Sequence, residues 1–469
     1  MLRRRGAHRA ILVAVSAAAT ACGSDDPITP LAPCDPPAIV RAGVTAVEGN
    51  VLAAVAGARV LRADSVAARS VAEGTATAAV TPAFLVADDS VEVPVLGLRP
   101  GTTYAVTIAL WGPCGTIESA EMALTTGSLP ADLPSYAAEG IDPSPGYVAF
   151  AAGNYGIVID NTGRVVWYHR FENGVGLNFQ AQPNGRYVAR PPSPDPDAPW
   201  VEIDVLGHVT RTLGCADGLA PRFHDLIMEP DGSYWLMCDD RRVVDLSSEG
   251  GLANATVIGT AVQHLAATGE RLFAWSPFDH FDLADLDPTL LLTPTVNWTH
   301  GNAIALDADG NLLISFRNLG EITKVDTRTG SVQWRFGGAR NEFTLDGSGA
   351  PPFVGQHGVR IPRHGELLVL DNLGEPAGSR VERWALDEQA KTARIVTVFR
   401  PDGPVVAQLG GTTQPLPGGR TLVSYGSGGR VEEYDSAGRV VWRIAGSPGY
   451  VFRAQRIRSL YTPGADGVR

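Results

Sequence analysis

The feature that most constrains the fold is a run of short strands and tight turns from Trp298 to Gly338. This stretch reads WTHGNAIALDADGNLLISFRNLGEITKVDTRTGSVQWRFGG. The runs AIAL, NLLISF, ITKVD and VQWRF predict four strands, separated by the turn signals DADG, RNLG and TRTG. Four strands within about forty residues are typical of one blade of a β-propeller.

The same pattern recurs along the chain. Glycines of predicted turns between first and second strands mark five units, at Gly185, Gly232, Gly310, Gly365 and Gly419. A degenerate unit begins at Val262 and brings the count to six. The segment Tyr147–Phe171 lacks a first strand, which the C-terminal segment Phe452–Tyr461 can supply, so that the two chain ends close the ring. Counting alone leaves six and seven blades open.

The N-terminus predicts export. Residues 1–21 combine a basic head of three consecutive arginines at positions 3–5 with a short apolar run, as in a signal peptide, and end in Ala19-Thr20-Ala21 before Cys22. This ending resembles a lipobox and predicts a lipidated Cys22, with an ordinary cleaved signal as the alternative. Residues 22–35 then form a tether. We therefore expect a periplasmic or cell-envelope lipoprotein held to a membrane by its lipid, with the oligomeric state left open.

The remaining cysteines fit an oxidising compartment. None of them has the spacing of a metal site, and we expect two disulfides among three alternative pairings, with the partners Cys34–Cys114 and Cys215–Cys238. The high content of Gly and Pro and the scarcity of helical periodicity favour an all-β fold. The formal charge of −12 and the absence of a basic run argue against nucleic acid as a partner.

The chain divides into two predicted domains. Residues 36–127 carry Leu-x-Pro-Gly-Thr-x-Tyr, which resembles the tyrosine corner of fibronectin type III modules and predicts that Tyr104 ties a loop to a β-sandwich. Residues 128–146 form a Pro-rich linker, and residues 147–469 form the propeller. The fold class is therefore all-β, a propeller preceded by a fibronectin type III-like β-sandwich.

Three histidines occupy equivalent positions in the repeats. His224 and His357 lie eight residues before a turn glycine, and His300 lies ten before one. Even offsets place all three on one strand face, so first strands from different blades should bring them together at the central channel. Arg317 and Asn318 end the neighbouring strand, and Asn302 should share a face with His300.

Several motifs in order resemble the bacterial arylsulfotransferases. They are Trp298–Ala303, Leu313–Asn318, Trp334–Gly338, Gln356-His357, Leu370–Asn372 and the closing FRAQRIRSLY. The resemblance implies an exported six-bladed propeller that moves a sulfuryl group from an aryl sulfate to a phenolic acceptor. It implies no nucleotide donor, cofactor or metal. It implies that His300 is the nucleophile, that His224, His357 and Arg317 are catalytic, and that Asn302 and Asn318 bind substrate. Gly358 stands where a larger polar residue is frequent in that family.

The residues themselves suit this chemistry. A neutral imidazole can attack sulfur and form a sulfohistidine, while an arginine and further imidazoles stabilise the sulfuryl oxygens and move protons. Two other functions compete with this interpretation. One is an exported propeller scaffold or binding lipoprotein without catalysis. The other is a metal-dependent hydrolase, since three histidines can bind zinc with one open position.

Overall fold

A computed structural model describes residues 34–345, 352–374 and 378–464. The predicted signal 1–21, Cys22 and the tether as far as residue 33 lie outside the described residues. Within these ranges the protein is all-β, and its helical structure consists of five short 3-10 turns: Ser247–Glu249, Pro277–Asp279, Leu283–Asp285, Pro288–Leu290 and Pro417–Gly419. No helix in the described ranges is long and apolar enough to cross a membrane.

The first nine strands form two packed sheets. They are β1 (Ala38–Val47), β2 (Asn50–Leu61), β3 (Ser65–Ala72), β4 (Ala78–Val80), β5 (Phe84–Leu85), β6 (Ser90–Leu96), β7 (Thr103–Gly112), β8 (Gly115–Glu118) and β9 (Met122–Thr125). One sheet has the order β1-β2-β6, and the other has the order β4-β3-β7-β8 with β5 beside β3 and β9 beside β7. Alternate apolar side chains of both sheets form one shared core.

Tyr104 makes the contact predicted for a tyrosine corner. Its ring is buried in the core of the two sheets, and its hydroxyl accepts a 2.7 Å hydrogen bond from the backbone nitrogen of Arg99. The hydroxyl thus satisfies a loop N–H that would otherwise lack a partner near the core.

The remaining strands run from residue 138 to residue 457. They are β10 (Ala138–Gly140), β11 (Tyr147–Ala152), β12 (Tyr155–Ile159), β13 (Val165–Arg170), β14 (Phe179–Ala181), β15 (Tyr187–Ala189), β16 (Trp200–Ile203), β17 (Val209–Leu213), β18 (Ala220–Met228), β19 (Tyr234–Val244), β20 (Ala255–Leu265), β21 (Arg271–Trp275), β22 (Thr295–Asn297), β23 (Gly301–Leu306), β24 (Leu312–Phe316), β25 (Glu321–Val325), β26 (Val332–Gly337), β27 (Thr344–Leu345), β28 (His357–Arg360), β29 (Glu366–Asp371), β30 (Arg380–Asp387), β31 (Thr392–Phe399), β32 (Thr412–Leu416), β33 (Arg420–Ser424), β34 (Val431–Tyr434), β35 (Val440–Ile444) and β36 (Ala454–Ile457).

These strands form six sheets. Their orders are β36-β11-β12-β13, β14-β15-β16-β17, β18-β19-β20-β21, β23-β24-β25-β26, β28-β29-β30-β31-β27 and β32-β33-β34-β35-β10, with β22 added beside β20. The first strands of the six sheets surround one axis. A cavity of about 230 Å³ on this axis is lined by residues of β14, β18, β23, β28, β32 and β36.

Three sheets share a sequence motif in which a turn that starts at an aspartate and ends at a glycine is followed by x-V-x-W. The tryptophans of this motif fill the spaces between sheets. Trp167, Trp334 and Trp442 are at most 2% exposed, and each packs among apolar side chains of two sheets. Truncating a buried tryptophan to alanine typically costs about 3–5 kcal/mol of folding stability. The phrase D-x-x-G-x-V-x-W therefore encodes both the turn and the packing of each sheet on its neighbour.

Two expectations about the repeats need correction. Val262 does not begin a separate unit, because β20 pairs with β19 along its whole length, from Tyr234 opposite Leu265 to Val244 opposite Ala255. The sequence pattern that predicted a new unit belongs to β20, which is the third strand of its sheet and is covered on both faces. In addition, the predicted linker 128–146 contains β10, which pairs with β35 at the outer edge of the last sheet.

The two chain ends meet as expected. Strand β36 pairs antiparallel with β11, so the C-terminal segment supplies the first strand of the sheet that starts at Tyr147. Five of the six sheets are therefore the units marked by a turn glycine, and the sixth is this sheet, which both chain ends form together. The positive φ angles of the five turn glycines, between 75° and 87°, explain the residue type, because a Cβ atom would be strained there.

Both predicted disulfides are confirmed. Cys34 is bonded to Cys114 beside the first two sheets, and Cys215 is bonded to Cys238 of β19. Their Cα atoms lie 5.6 and 6.3 Å apart, within the range that a disulfide spans. Two such bridges indicate an oxidising, exported location.

Candidate active site

Side chains from three sheets meet at one end of the ring. His224 lies in β18, His300 directly precedes β23, and His357 is the first residue of β28. The ring centroids of His224 and His300 are 5.0 Å apart. Charges on Arg317 influence both His300 and His357, and charges on His357 influence His224, so the four predicted catalytic groups lie close together.

His300 reaches this position through an unusual backbone. Its φ angle is +46°, and the pairing of β23 with β24 shifts register between Gly301 and Ala303. A Cβ atom at Gly301 would lie 2.6 Å from side-chain atoms of Met237 and Thr260, so only glycine fits there. The Gly301 nitrogen donates to Thr260 Oγ1 at 2.8 Å. A non-glycine residue at positive φ is uncommon and often marks a functional site.

This backbone corrects the expectation that His300 and Asn302 share a strand face. The alternation argument requires regular strand geometry, which the positive φ and the register shift interrupt. Asn302 is 1% exposed, and its Nδ2 donates to the backbone oxygen of Gln356 at 2.7 Å. It braces the start of β28 and is not among the residues that line the open cavity described below.

The hydrogen bonds of His357 fix its tautomer. Its Nδ1 lies 3.0 Å from the Gly355 carbonyl oxygen and 3.0 Å from Asn372 Oδ1. The Asn372 amide cannot be reversed, because its Nδ2 donates to the carbonyls of Ala407 and Gly410 at 2.7 and 2.9 Å. Since both partners of Nδ1 are acceptors, Nδ1 carries the proton, and Nε2 of the neutral ring keeps its lone pair.

The contact of His300 with Asn297 is compatible with either tautomer of the ring. The side-chain amide of Asn297 lies 2.6 Å from His300 Nδ1, and Oδ1 of that amide has no other partner among the described residues. With the amide oxygen facing the ring, Nδ1 carries the proton and Nε2 keeps its lone pair. His300 can then attack with Nε2, and His357 can accept a proton at Nε2.

All three imidazoles are held in the neutral form. Burial, together with the nearby charges of Arg222 and Arg317, lowers the pKa of His300 to about 3. Burial likewise lowers the pKa of His357 to about 4 and that of His224 well below its ordinary value. Desolvation disfavours the charged ring, and neighbouring cations add repulsion.

Arginines supply positive charge next to these rings. Burial lowers the pKa of Arg317, yet its guanidinium remains charged, and it donates to Asn318 Oδ1 at 3.2 Å. Asn318 in turn donates from Nδ2 to the Asn297 carbonyl at 2.6 Å. Arg222 pairs with Asp239 of β19. Among the described residues Arg317 has no carboxylate partner, so its charge is available to an anion.

Buried polar atoms without partners concentrate here. Within the described residues, Arg222 Nε, His224 Nδ1, Asn297 Oδ1 and Arg317 Nε have no hydrogen-bond partner. Buried polar atoms in native proteins are nearly always paired, so such a cluster indicates a site that receives a polar ligand.

An open cavity of about 490 Å³ leads to this cluster. Its walls come from five short stretches of chain and are formed by Asp287, Leu290, Asn297, His300, Arg317, Asn318, Val354, Gly355 and Leu373. Phe223 stacks on His224 with 4.1 Å between ring centroids, and Phe452 also contacts that ring, so His224 is shielded from solvent.

Gly358 does not shape this cavity. Its φ is +63°, and a Cβ atom there would lie 2.6 Å from the backbone Cα of Thr412 in β32. The Gly358 carbonyl accepts from Thr413 Oγ1 at 2.9 Å. The glycine therefore permits the close approach of two first strands.

Among the described residues one group has metal-ligand geometry, and it lies apart from the histidine cluster. It consists of Asp307, His364 and Glu388. The ammonium of Lys324 lies within the group, 2.8 Å from Asp307 and 2.9 Å from Glu388, so the carboxylates already have a cation. The three histidines of the candidate active site are not part of this group.

Three contributors to the site escaped the sequence analysis. Arg222 directly precedes Phe223-His224, and Asn297 directly precedes the motif that begins at Trp298. Asn372 ends the motif Leu370–Asn372, but the sequence alone does not predict its role. Position next to a motif was the only signal for them, because their contacts depend on how distant segments pack.

Comparison with known proteins agrees with this geometry. Residues 219–447 match the family described as arylsulfotransferase (ASST). These residues belong to the arylsulfotransferase family. The arylsulfotransferase region contains every predicted catalytic residue, and the family implies an aryl sulfate donor and a phenol acceptor.

Solved structures that match this chain share little sequence with it. A protein of unknown function from Bacteroides caccae is 16% identical, with a TM-score of 0.44 over 67% of this chain and 100% of its own. A streptogramin B lyase is 13% identical, with a TM-score of 0.38 over 66% and 84%. Virginiamycin B lyase from Staphylococcus aureus is 12% identical, with a TM-score of 0.37 over 66% and 83%. No curated protein matches the sequence.

Proposed function

We propose that the protein transfers a sulfuryl group from an aryl sulfate to a phenol through a sulfohistidine, without a nucleotide donor. The observation that carries the proposal is the neutral His300, which lines the open cavity together with Arg317. A neutral imidazole nitrogen is the nucleophile that this transfer requires.

His300 is the proposed nucleophile, as the sequence resemblance implies. It lines the open cavity, whereas His357 is buried and is not among the cavity-lining residues. His357 Nε2 keeps its lone pair, so this ring is suited to accept the proton of the incoming phenol.

The step balances as a substitution at sulfur. Nε2 of His300 forms the N–S bond with its lone pair, in the tautomer whose proton is on Nδ1, while the bond from sulfur to the aryl oxygen breaks and that electron pair leaves on the phenolate. In the second half the acceptor phenol gives its proton to Nε2 of His357, and its oxygen attacks sulfur and displaces His300 Nε2. The proton on His357 then passes to the released phenolate or to solvent.

Positive charge and orphaned donors stabilise the transition state. The guanidinium of Arg317 can hold two sulfuryl oxygens with its planar fork, and His224 offers a further polar nitrogen. As in phosphoryl transfer, positioning and charge stabilisation supply most of the rate, and no metal is required by the groups involved. Asn318 holds Arg317 and lines the cavity, which supports its predicted role in substrate binding.

The wider architecture is part of the same proposal. The six sheets around one axis support a six-bladed β-propeller over residues 147–469, and the tyrosine corner supports a fibronectin type III-like domain over residues 36–127. The signal 1–21 and Cys22 are proposed to make the protein an exported, lipid-anchored enzyme.

The proposal is tested by locating the covalent adduct. Incubation with 4-nitrophenyl sulfate alone should add one sulfuryl mass to the peptide that contains His300, and a phenol should then remove it. His300→Ala should abolish the adduct and lower transfer by several orders of magnitude. His357→Ala should slow transfer by about 10²–10⁴-fold and still leave the adduct on His300. His264→Ala, which alters a histidine stacked on Trp235 outside the site, is the matched control.

Each alternative has its own outcome. An adduct on His357 that survives His300→Ala would overturn the assignment of His300 as the nucleophile. Metal-dependent release of sulfate into water without any adduct would favour a hydrolase. Absence of any reaction with aryl sulfates in a folded protein would favour a scaffold.

A further inference from the structure

One wall of the active-site cavity is a loop between β21 and β22 that contains three of the 3-10 turns. Each turn begins with a capping side chain, provided by Ser276, Asp282 and Asp287. The third turn supplies Asp287 and Leu290 to the cavity. The loop therefore contributes a carboxylate and an aliphatic side chain close to the candidate catalytic groups.

The loop is fixed to the sheet beneath it. Asp285 pairs with Arg335 of β26 at 3.1 Å, and that guanidinium lies 4.2 Å from the ring centroid of Phe281. Phe281 also packs edge-on against Phe316, which ends β24. A wall held by an ion pair and by aromatic contacts can present a side chain at a constant distance from a substrate.

The carboxylate of Asp287 has one oxygen free. Its Oδ1 accepts hydrogen bonds from the Thr289 nitrogen at 2.9 Å and from Thr289 Oγ1 at 2.8 Å. Among the described residues no cation pairs with Asp287, and the residue is exposed. Its negative charge is therefore not neutralised within the described part of the protein.

The walls of the cavity are polar in one part and aliphatic in another. Arg317 and His300 provide the cationic and imidazole groups, while Leu290, Val354 and Leu373 provide aliphatic surface. Val354 and Leu373 are 40% and 39% exposed although both are large and apolar, and their backbones are joined by a 3.0 Å hydrogen bond. Exposed aliphatic side chains beside a polar catalytic group are suited to hold an aryl ring.

We propose that Asp287 selects the acceptor by charge, favouring phenols that carry a cationic ammonium substituent over phenols that carry a carboxylate. The inference rests on the proposed sulfuryl transfer and adds the class of acceptor. The aliphatic wall holds the ring, the hydroxyl faces His300, and the substituent reaches the exposed Asp287. An exposed charge at several ångströms discriminates modestly, so we expect about a tenfold preference between opposite charges at low salt.

The test uses three acceptors of similar shape and different charge. These are tyramine, 4-ethylphenol and 4-hydroxyphenylacetate, with 4-nitrophenyl sulfate as the donor. The quantity measured is kcat/KM for each charged acceptor relative to 4-ethylphenol. Asp287→Asn removes the charge and keeps an oxygen that can cap the turn. Asp282→Asn is the matched control, since Asp282 caps the preceding turn of the same loop and does not line the cavity.

In the unaltered protein tyramine should be preferred over 4-hydroxyphenylacetate by about tenfold, and this preference should shrink at high salt. Asp287→Asn should abolish the preference, whereas Asp282→Asn should retain it. Equal preferences in the unaltered protein and in Asp287→Asn would overturn the inference, and so would an equal loss in both variants. Sulfuryl transfer to 4-ethylphenol in those cases would leave the proposed function standing. Absence of transfer to all three acceptors would overturn both.

Discussion

The lowered pKa of His300 predicts how the first half of the reaction depends on pH. An imidazole with an ordinary pKa of about 6.5 is only about one-tenth neutral at pH 5.5, whereas one with a pKa of about 3 is almost entirely neutral. Burial is the main cause of the shift, and the cations of Arg222 and Arg317 add to it. Sulfurylation by 4-nitrophenyl sulfate should therefore proceed at pH 5.5 at nearly its rate at pH 8, instead of about one-tenth of it.

The assay is the single-turnover release of 4-nitrophenol, followed by rapid quenching at each pH. 4-Nitrophenolate is a good leaving group. The pH profile therefore depends on the protonation of the nucleophile more than on proton transfer to the leaving group. A rate that halves near pH 6.5 would refute the argument, because it would show that the attacking ring is solvated like a free imidazole. In Arg317→Gln the acid limb should move to higher pH while staying below 6.5, since desolvation persists.

The same shifts predict a loss of stability in acid. The folded-state pKa of His357 and that of His300 lie below the unfolded value, so below about pH 6.5 the unfolded chain binds more protons than the folded one. The stabilisation is thus fully present above about pH 6.5 and is lost as the pH falls towards about 4 and 3. Urea unfolding at several pH values measures this. A free energy of unfolding that stays constant from pH 7 to pH 4.5 would contradict it.

Three further predictions concern single contacts. Asn372→Ala removes one of two acceptors that hold His357 Nδ1–H and should slow the second half-reaction about tenfold; an unchanged rate would show that Gly355 alone orients the ring. Replacing both Cys215 and Cys238 by Ser opens a bridge across 23 residues and should cost about 3 kcal/mol in urea unfolding; a loss well below 1 kcal/mol would contradict the loop-closure account. Cys22→Ser should abolish labelling by a fatty-acid probe in a bacterial host, and labelling that persists would exclude Cys22 as the anchor.

Local chemistry in the sequence determined much of the fold. The turn glycines at positive φ, the tryptophans between sheets and the Tyr104 hydroxyl are features whose physical cause lies within a few residues. The two disulfides were also correctly paired from the positions of four cysteines. Strand periodicity placed His224, His300 and His357 on first strands, which is enough to expect them near one axis.

Only the tertiary structure decided what each of these histidines can do. The tautomer of His357 depends on Asn372, fifteen residues away, whose amide is oriented in turn by carbonyls from the next sheet. The positive φ of His300 and the place of Val262 in a third strand likewise follow from contacts with neighbouring strands. Periodicity specifies which face of a strand a residue occupies, because the side-chain period is local. It carries no information about which distant donor or acceptor completes a buried hydrogen bond, because that partner is fixed only when the six sheets close around their axis.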